Sequence, residues 1–250
     1  MRSQFLNSLL RFNSIWFNSV WFNSIRFNSI WFSAIVVTLV ALSVQAKDLS
    51  QSTTNIATKS TIASTQIILV FGDSLSAGYG LPQGQGWAAL LEKKLIQSKT
   101  NHPVYKVINA SISGETTSGG LARFSEALAL HKPSIVILEL GANDGLRGLP
   151  VSDLRSNLNK MILQAKAAKT KLLLVGMKIP PNYGLKYSRD FNASYAILAD
   201  QHKIKFVPFL LDGVAGKPNL IQDDGLHPTA TAQATLLENV WLILEKLLNK

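Results

Sequence analysis

The sequence predicts a doubly wound, three-layer α/β domain: a five-stranded parallel sheet covered by helices on both faces. Three observations lead there. From Gln66 onward, short apolar runs alternate with longer amphipathic stretches. The apolar runs are near-continuous, as in strands buried on both faces, whereas half-exposed strands alternate. Polar and glycine-rich residues gather directly after the runs, at the carboxyl ends of the strands, where open sheets of this kind bind ligands.

The first strand is IILVF (67–71), followed by GDSLSAGYG and an amphipathic stretch from Trp87 to Gln97. The second is VYKVIN (104–109), followed by a stretch from Leu121 to Leu130. SIVILEL (134–140) leads into Ser152 to Ala168, and KLLLVGM (171–177) into Ser188 to His202. IKFVPF (204–209) is the fifth, and a last helix runs from about Thr229 to Leu248. For five strands so connected, the expected order is 2-1-3-4-5, the flavodoxin-like arrangement.

The residues before this domain read differently. Residues 1–32 carry a pentamer repeat, RFNSI, WFNSV, WFNSI, RFNSI, whose period matches neither helix nor strand and builds no buried face. An apolar core over 34–44 then ends in Val44-Gln45-Ala46, the small-residue spacing that signal peptidase prefers. Cleavage after Ala46 is the expectation, giving a periplasmic or secreted protein. The alternative is an uncleaved anchor in the inner membrane, although the apolar core falls short of the ~20 residues of a spanning helix. Residues 47–65 are polar, rich in Ser and Thr, and read as a linker, so the domains are 1–46, 47–65 and 66–250.

The chain has 250 residues and no cysteine, which excludes disulfides, a thiolate nucleophile and cysteine metal clusters. Its net charge is +10, but residues 47–250 carry only 22 basic against 15 acidic groups. That balance suits solubility, and transient contact with membrane lipid is a second use of it. The lysines are scattered without aromatic-basic runs, so no nucleic-acid partner is expected. HExxH, paired histidines at helical spacing and a calcium loop are all missing, so neither metal nor cofactor is called for. A monomer is expected.

Each strand-end loop contributes one chemically useful group. Ser74 follows strand one, where an ordinary turn serine would also fit. The loop is not GxGxxG or GK[ST], so it is no phosphate cradle, and Ser76 breaks the GxSxG elbow. Gly114 follows strand two and offers a backbone N–H. Asn143 in GANDG follows strand three, where it is either an Asx turn or an amide donor aimed at an oxyanion. Asp144 beside it reads as a turn or packing residue. Asp224 and His227 lie in DDGLHP, and a spacing of three around a glycine lets a tight loop return the carboxylate to its own imidazole. Asp223 competes for that role at one residue more. His102, His131 and His202 lie beside Lys or Pro at helix ends or loops and read as solvated. A hydroxyl, a histidine with an orienting carboxylate, and oxyanion donors on one sheet edge are the parts of a serine hydrolase. Leu146, Ile179, Pro180, Tyr183 and Leu185 sit in loops beside that edge and are the candidate lining of an acyl groove.

IILVFGDSLSAGYG, NASISGETTSGGLAR, LELGANDGLRG and QDDGLHPT resemble, in order, the four blocks of the SGNH (GDSL) hydrolases. The match is nearest the bacterial periplasmic thioesterase I, lysophospholipase and arylesterase group and covers residues 66 to about 248. The resemblance implies a nucleophile at Ser74 and an acid–base pair of Asp224 and His227. It implies an oxyanion hole from the Ser74 and Gly114 N–H groups and the Asn143 side chain. Pro180-Pro181-Asn182-Tyr183-Gly184 resembles that group's mobile loop over acyl chains. The implied substrates are aryl esters, acyl thioesters such as acyl-CoA, and lysophospholipids. A carbohydrate O-acetylesterase, for which Tyr183 and Tyr187 are the only stacking candidates, and a non-catalytic lipid- or carbohydrate-binding module are the alternatives.

Overall fold

The computed structural model describes residues 65–98 and 103–248, so the repeat, the leader, nearly all of the linker and His102 lie outside the described residues. The strands are β1 (Gln66–Gly72), β2 (Tyr105–Asn109), β3 (Ile135–Glu139), β4 (Lys171–Val175) and β5 (Lys205–Val207). All four pairings are parallel and the order is β2-β1-β3-β4-β5, as the sequence predicts. The helices are α1 (Ser74–Ala77), α2 (Trp87–Gln97), α3 (Thr117–His131), α4 (Ala142–Leu146), α5 (Val151–Ala167), α6 (Leu185–His202) and α7 (Gln233–Leu248). α2 packs on α7, and α5 packs between α3 and α6, which gives the two outer layers.

The continuous apolar runs are explained by the central strands. Ile68 to Phe71 on β1 and Ile135 to Leu138 on β3 have no exposed surface, because helices cover both faces. The edge strand β2 mixes buried and exposed positions. The helices turn one stripe inward: on α7, Leu236, Leu237, Val240, Trp241, Leu244 and Leu248 are buried at helical spacing.

Two elements were not legible as helices. α1 and α4, of four and five residues, begin immediately after β1 and just after β3. α1 is started by Asp73, whose carboxylate accepts the Leu75 N–H at 3.0 Å, and is stopped by Gly78 in the left-handed conformation. α4 is entered through Gly141 (φ 119°), packed so closely under Tyr195 that a Cβ there would lie 2.2 Å from the phenol oxygen. His202 also departs from expectation: it is half-buried, with Nε2 2.6 Å from Asn159 Oδ1.

Candidate active site

The carboxyl edge of the sheet is where the loops converge. Ser74 is the first residue of α1, and its N–H, like every first N–H of a helix, has no partner within the helix. Its carbonyl accepts from Gly78 and Tyr79, both at 3.1 Å, closing a compact turn that holds the hydroxyl at the strand end. The opposing loop, after β5, is a hairpin: Ile221 bridges Pro228, and the Gln222 N–H donates to His227 O at 2.7 Å. Gly225 (φ 72°) provides the left-handed turn at its tip.

These two loops place the His227 Nε2 2.8 Å from Ser74 Oγ. On the other side of the ring, Nδ1 lies 2.6 Å from Asp224 Oδ2. Asp224 Oδ1 accepts the Leu226 and His227 N–H groups at 2.9 and 3.0 Å. Hydrogen bonds from the His227 backbone, its ring and the Leu226 N–H hold the Asp224 carboxyl down to about 2. Asp224 is therefore ionised throughout the neutral and mildly acidic range and fixes the imidazole in one orientation. Asp223 is exposed, and the carboxylate that meets the ring is that of Asp224. The Tyr79 ring covers His227, with centroids 4.4 Å apart.

Gly114 (φ 80°) stands on a loop that stays tied to β1 through Ala110 N–H to Val70 O (2.9 Å) and Ile112 N–H to Gly72 O (3.0 Å). Its carbonyl accepts from Arg147 Nη2 at 2.9 Å. Asn143, on α4, donates from Nδ2 to Glu115 O at 3.1 Å and to Asp73 Oδ2 at 3.2 Å. An oxyanion would have to take one of those hydrogens, and a charged acceptor competes well against a carbonyl. Asp144 is buried and accepts from Thr117 N (2.8 Å) and Thr117 Oγ1 (2.5 Å), so it fastens α4 to the start of α3.

Behind Ser74 lie two buried carboxyls. Burial pushes Asp73 up to about 6, against the hydrogen bonds from Leu75 and Asn143. Burial, then the neighbouring Asp73, raises Glu139 well above the usual carboxylate range, while Ser76 Oγ donates to it at 2.6 Å. The two acids stand directly beneath α1 and carry it against β3.

A cavity of about 540 Å³ opens from Ser74, Gly114, Asn143 and His227. Leu146, Ile179 and Pro180 line it. Tyr183 and Leu185, expected beside them, do not: Leu185 is the first residue of α6, is 79% exposed, and borders a separate cleft with Gly148 and Tyr187. Tyr187 is committed elsewhere, donating to Leu149 O at 2.6 Å. Phe209, Leu211, Ile221, Tyr79 and Leu226 line the cavity as well. Sequence reading missed these: it placed Phe209 at the end of the fifth strand, which stops at Val207, and the others lie in loops whose apolar residues carry no period.

Comparison with known proteins agrees with this geometry. A family model described as the GDSL-like lipase/acylhydrolase family matches residues 70–235. The chain is 49% identical over 186 residues to Esterase TesA of Pseudomonas aeruginosa, covering 74% of this chain and 91% of the relative. It is 41% identical over 187 residues to thioesterase 1/protease 1/lysophospholipase L1 of Escherichia coli, covering 75% and 87%. The crystal structure of psychrotrophic esterase EstA from Pseudoalteromonas sp., inhibited by monoethylphosphonate, superposes with a TM-score of 0.69 at 39% identity, covering 74% of this chain and all of that one. With fold, sheet order and sequence in agreement across the described domain, the chain belongs to the GDSL-like lipase/acylhydrolase family.

Proposed function

We propose that this chain hydrolyses carboxylic esters and thioesters through an acyl-enzyme on Ser74. The observation that carries the reading is the continuous line from Asp224 Oδ2 to His227 Nδ1 (2.6 Å) and from His227 Nε2 to Ser74 Oγ (2.8 Å). His227 takes the Ser74 proton as Oγ attacks the acyl carbonyl, and the charge of Asp224 stabilises the imidazolium. The Ser74 and Gly114 N–H groups and Asn143 Nδ2 hold the tetrahedral oxyanion. As the intermediate collapses, His227 returns the proton to the leaving alcohol or thiol. Water then gives up a proton to His227 as it attacks the acyl-enzyme, and His227 returns that proton to Ser74 Oγ as the Oγ–acyl bond breaks and the acid leaves.

The apolar cavity, lined by Leu146, Ile179, Pro180 and Phe209, suits an acyl chain longer than acetyl. That favours aryl esters, acyl thioesters such as acyl-CoA and lysophospholipids over carbohydrate O-acetyl groups. The names of the relatives, esterase and thioesterase 1/lysophospholipase L1, support the same range. The phosphonate inhibition of EstA supports the nucleophile reading, since phosphonates trap activated nucleophiles. Ser74→Ala should abolish turnover of p-nitrophenyl esters and acyl-CoA, and near-parent rates from it would remove the assignment. A non-catalytic binding module would leave Ser74 unlabelled by a fluorophosphonate probe.

We further propose an exported protein, divided as 1–46, 47–65 and 66–250. Residues 34–46 support it by their apolar core and Val44-Gln45-Ala46 ending. Among the described residues no helix is long and apolar enough to cross a membrane. N-terminal sequencing of exported protein should begin at Lys47; a start at Met1 would favour the anchor. A monomer is proposed as well, and the balance of 22 basic to 15 acidic groups over residues 47–250 suits transient contact with membrane lipid.

A further inference from the structure

We propose that Gln222 is a positioning residue that ties the nucleophile's loop to the histidine's loop and thereby sets the Ser74–His227 distance. The proposal rests on the reading of Ser74 and His227 as a working pair. Gln222 lies outside that pair, at the base of the hairpin that carries His227. Its side-chain amide has two hydrogens, and they go to different loops. One reaches Tyr79 O and the other Pro228 O, both at 2.9 Å. Its backbone N–H donates to His227 O at 2.7 Å, and its carbonyl accepts from Gly225 at 3.0 Å.

These bonds close a circuit. Ser74 O accepts from Tyr79 N–H, Tyr79 O accepts from Gln222, Gln222 N–H donates to His227 O, and His227 Nε2 meets Ser74 Oγ. An amide side chain suits this place, because both partners are carbonyls and need donors. A carboxylate of the same shape would face two acceptors and push the loops apart. Gly80, next to Tyr79, makes the approach feasible: a Cβ there would lie 2.2 Å from Gln222 Oε1, on a backbone already at φ 73°. Tyr79, held by this tie, keeps its ring over His227.

The test compares Gln222→Ala, which removes the tie, with Gln222→Glu, which replaces it by repulsion. Crystal structures of both should show Ser74 Oγ to His227 Nε2 beyond hydrogen-bond reach. With a soluble p-nitrophenyl ester, kcat should fall about tenfold for Gln222→Ala and about a hundredfold for Gln222→Glu, the scale of an ångström's misplacement. KM should stay within about twofold. A residue of merely structural importance would instead lower the melting temperature and leave the distance and kcat at 25 °C unchanged. Either an unchanged distance or a kcat within twofold of the parent overturns the proposal. If the parent itself hydrolyses no ester, the hydrolase reading fails, and the distance alone decides the tie.

Discussion

At His227, three neighbours divide the work: Asp224 fixes the ring from Nδ1, Ser74 receives it at Nε2, and Tyr79 covers its face. Asn143 is held with equal definition between Asp73 and Glu115. Asn143→Ala should lower kcat about a hundred- to a thousandfold, the usual cost of one oxyanion donor, with an unchanged circular-dichroism spectrum. Asp73 leads to a pH prediction. Its folded value of about 6 lies above its ordinary value of 3.8, so the folded state binds its proton more tightly. The stability it contributes is complete below the ordinary value and is lost as pH rises from about 4 to about 6. Asp73→Asn should therefore lose less stability than the parent over that interval in urea titrations. Parallel pH profiles would show that Asp73 is not the group responsible. That Ser74, Asp224 and His227 would meet was legible because the parallel topology brings the loops after the strands to one edge, and the Asp-x-x-His spacing is a local pattern. Tyr79 and Gln222 were not, because their importance lies in contacts 143 to 148 residues apart in the chain.

At the scale of elements, strands and long helices were legible from hydrophobic pattern, and α2 spans Trp87–Gln97 in structure as in sequence. α1 and α4 were not, since four or five residues complete little more than one helical turn and show no period. They depend on tertiary support: a cap from Asp73 for one, and Thr117 on Asp144 for the other. The same closeness governs α3. Gly120 faces the sheet with so little room that a Cβ would lie 2.4 Å from Leu140 Cδ1 and 3.3 Å from Phe71 Cε1. Gly120→Ala should destabilise the fold by about 1–3 kcal/mol through overpacking, offset in part by better helix propensity. Chemical denaturation measures this, and an unchanged midpoint would mean that Leu140 yields freely.

For the whole molecule, the doubly wound topology brings four strand-end loops to one edge and leaves an apolar cavity beside Ser74. The cavity's size could not be read from sequence, because Phe209, Leu211 and Ile221 are ordinary loop residues until the fold gathers them. With ~0.8 kcal/mol for each methylene buried, kcat/KM should rise at least about tenfold from p-nitrophenyl acetate to hexanoate. A flat or falling series would assign the cavity to something other than an acyl chain. The proposed reaction passes through a covalent acyl group on Ser74. Mass spectrometry of enzyme quenched in acid during turnover of a p-nitrophenyl ester tests it most directly. The mass of the acyl group should appear on the peptide containing Ser74, and none in Ser74→Ala. Turnover with that peptide unmodified, or acylation persisting in Ser74→Ala, would contradict it.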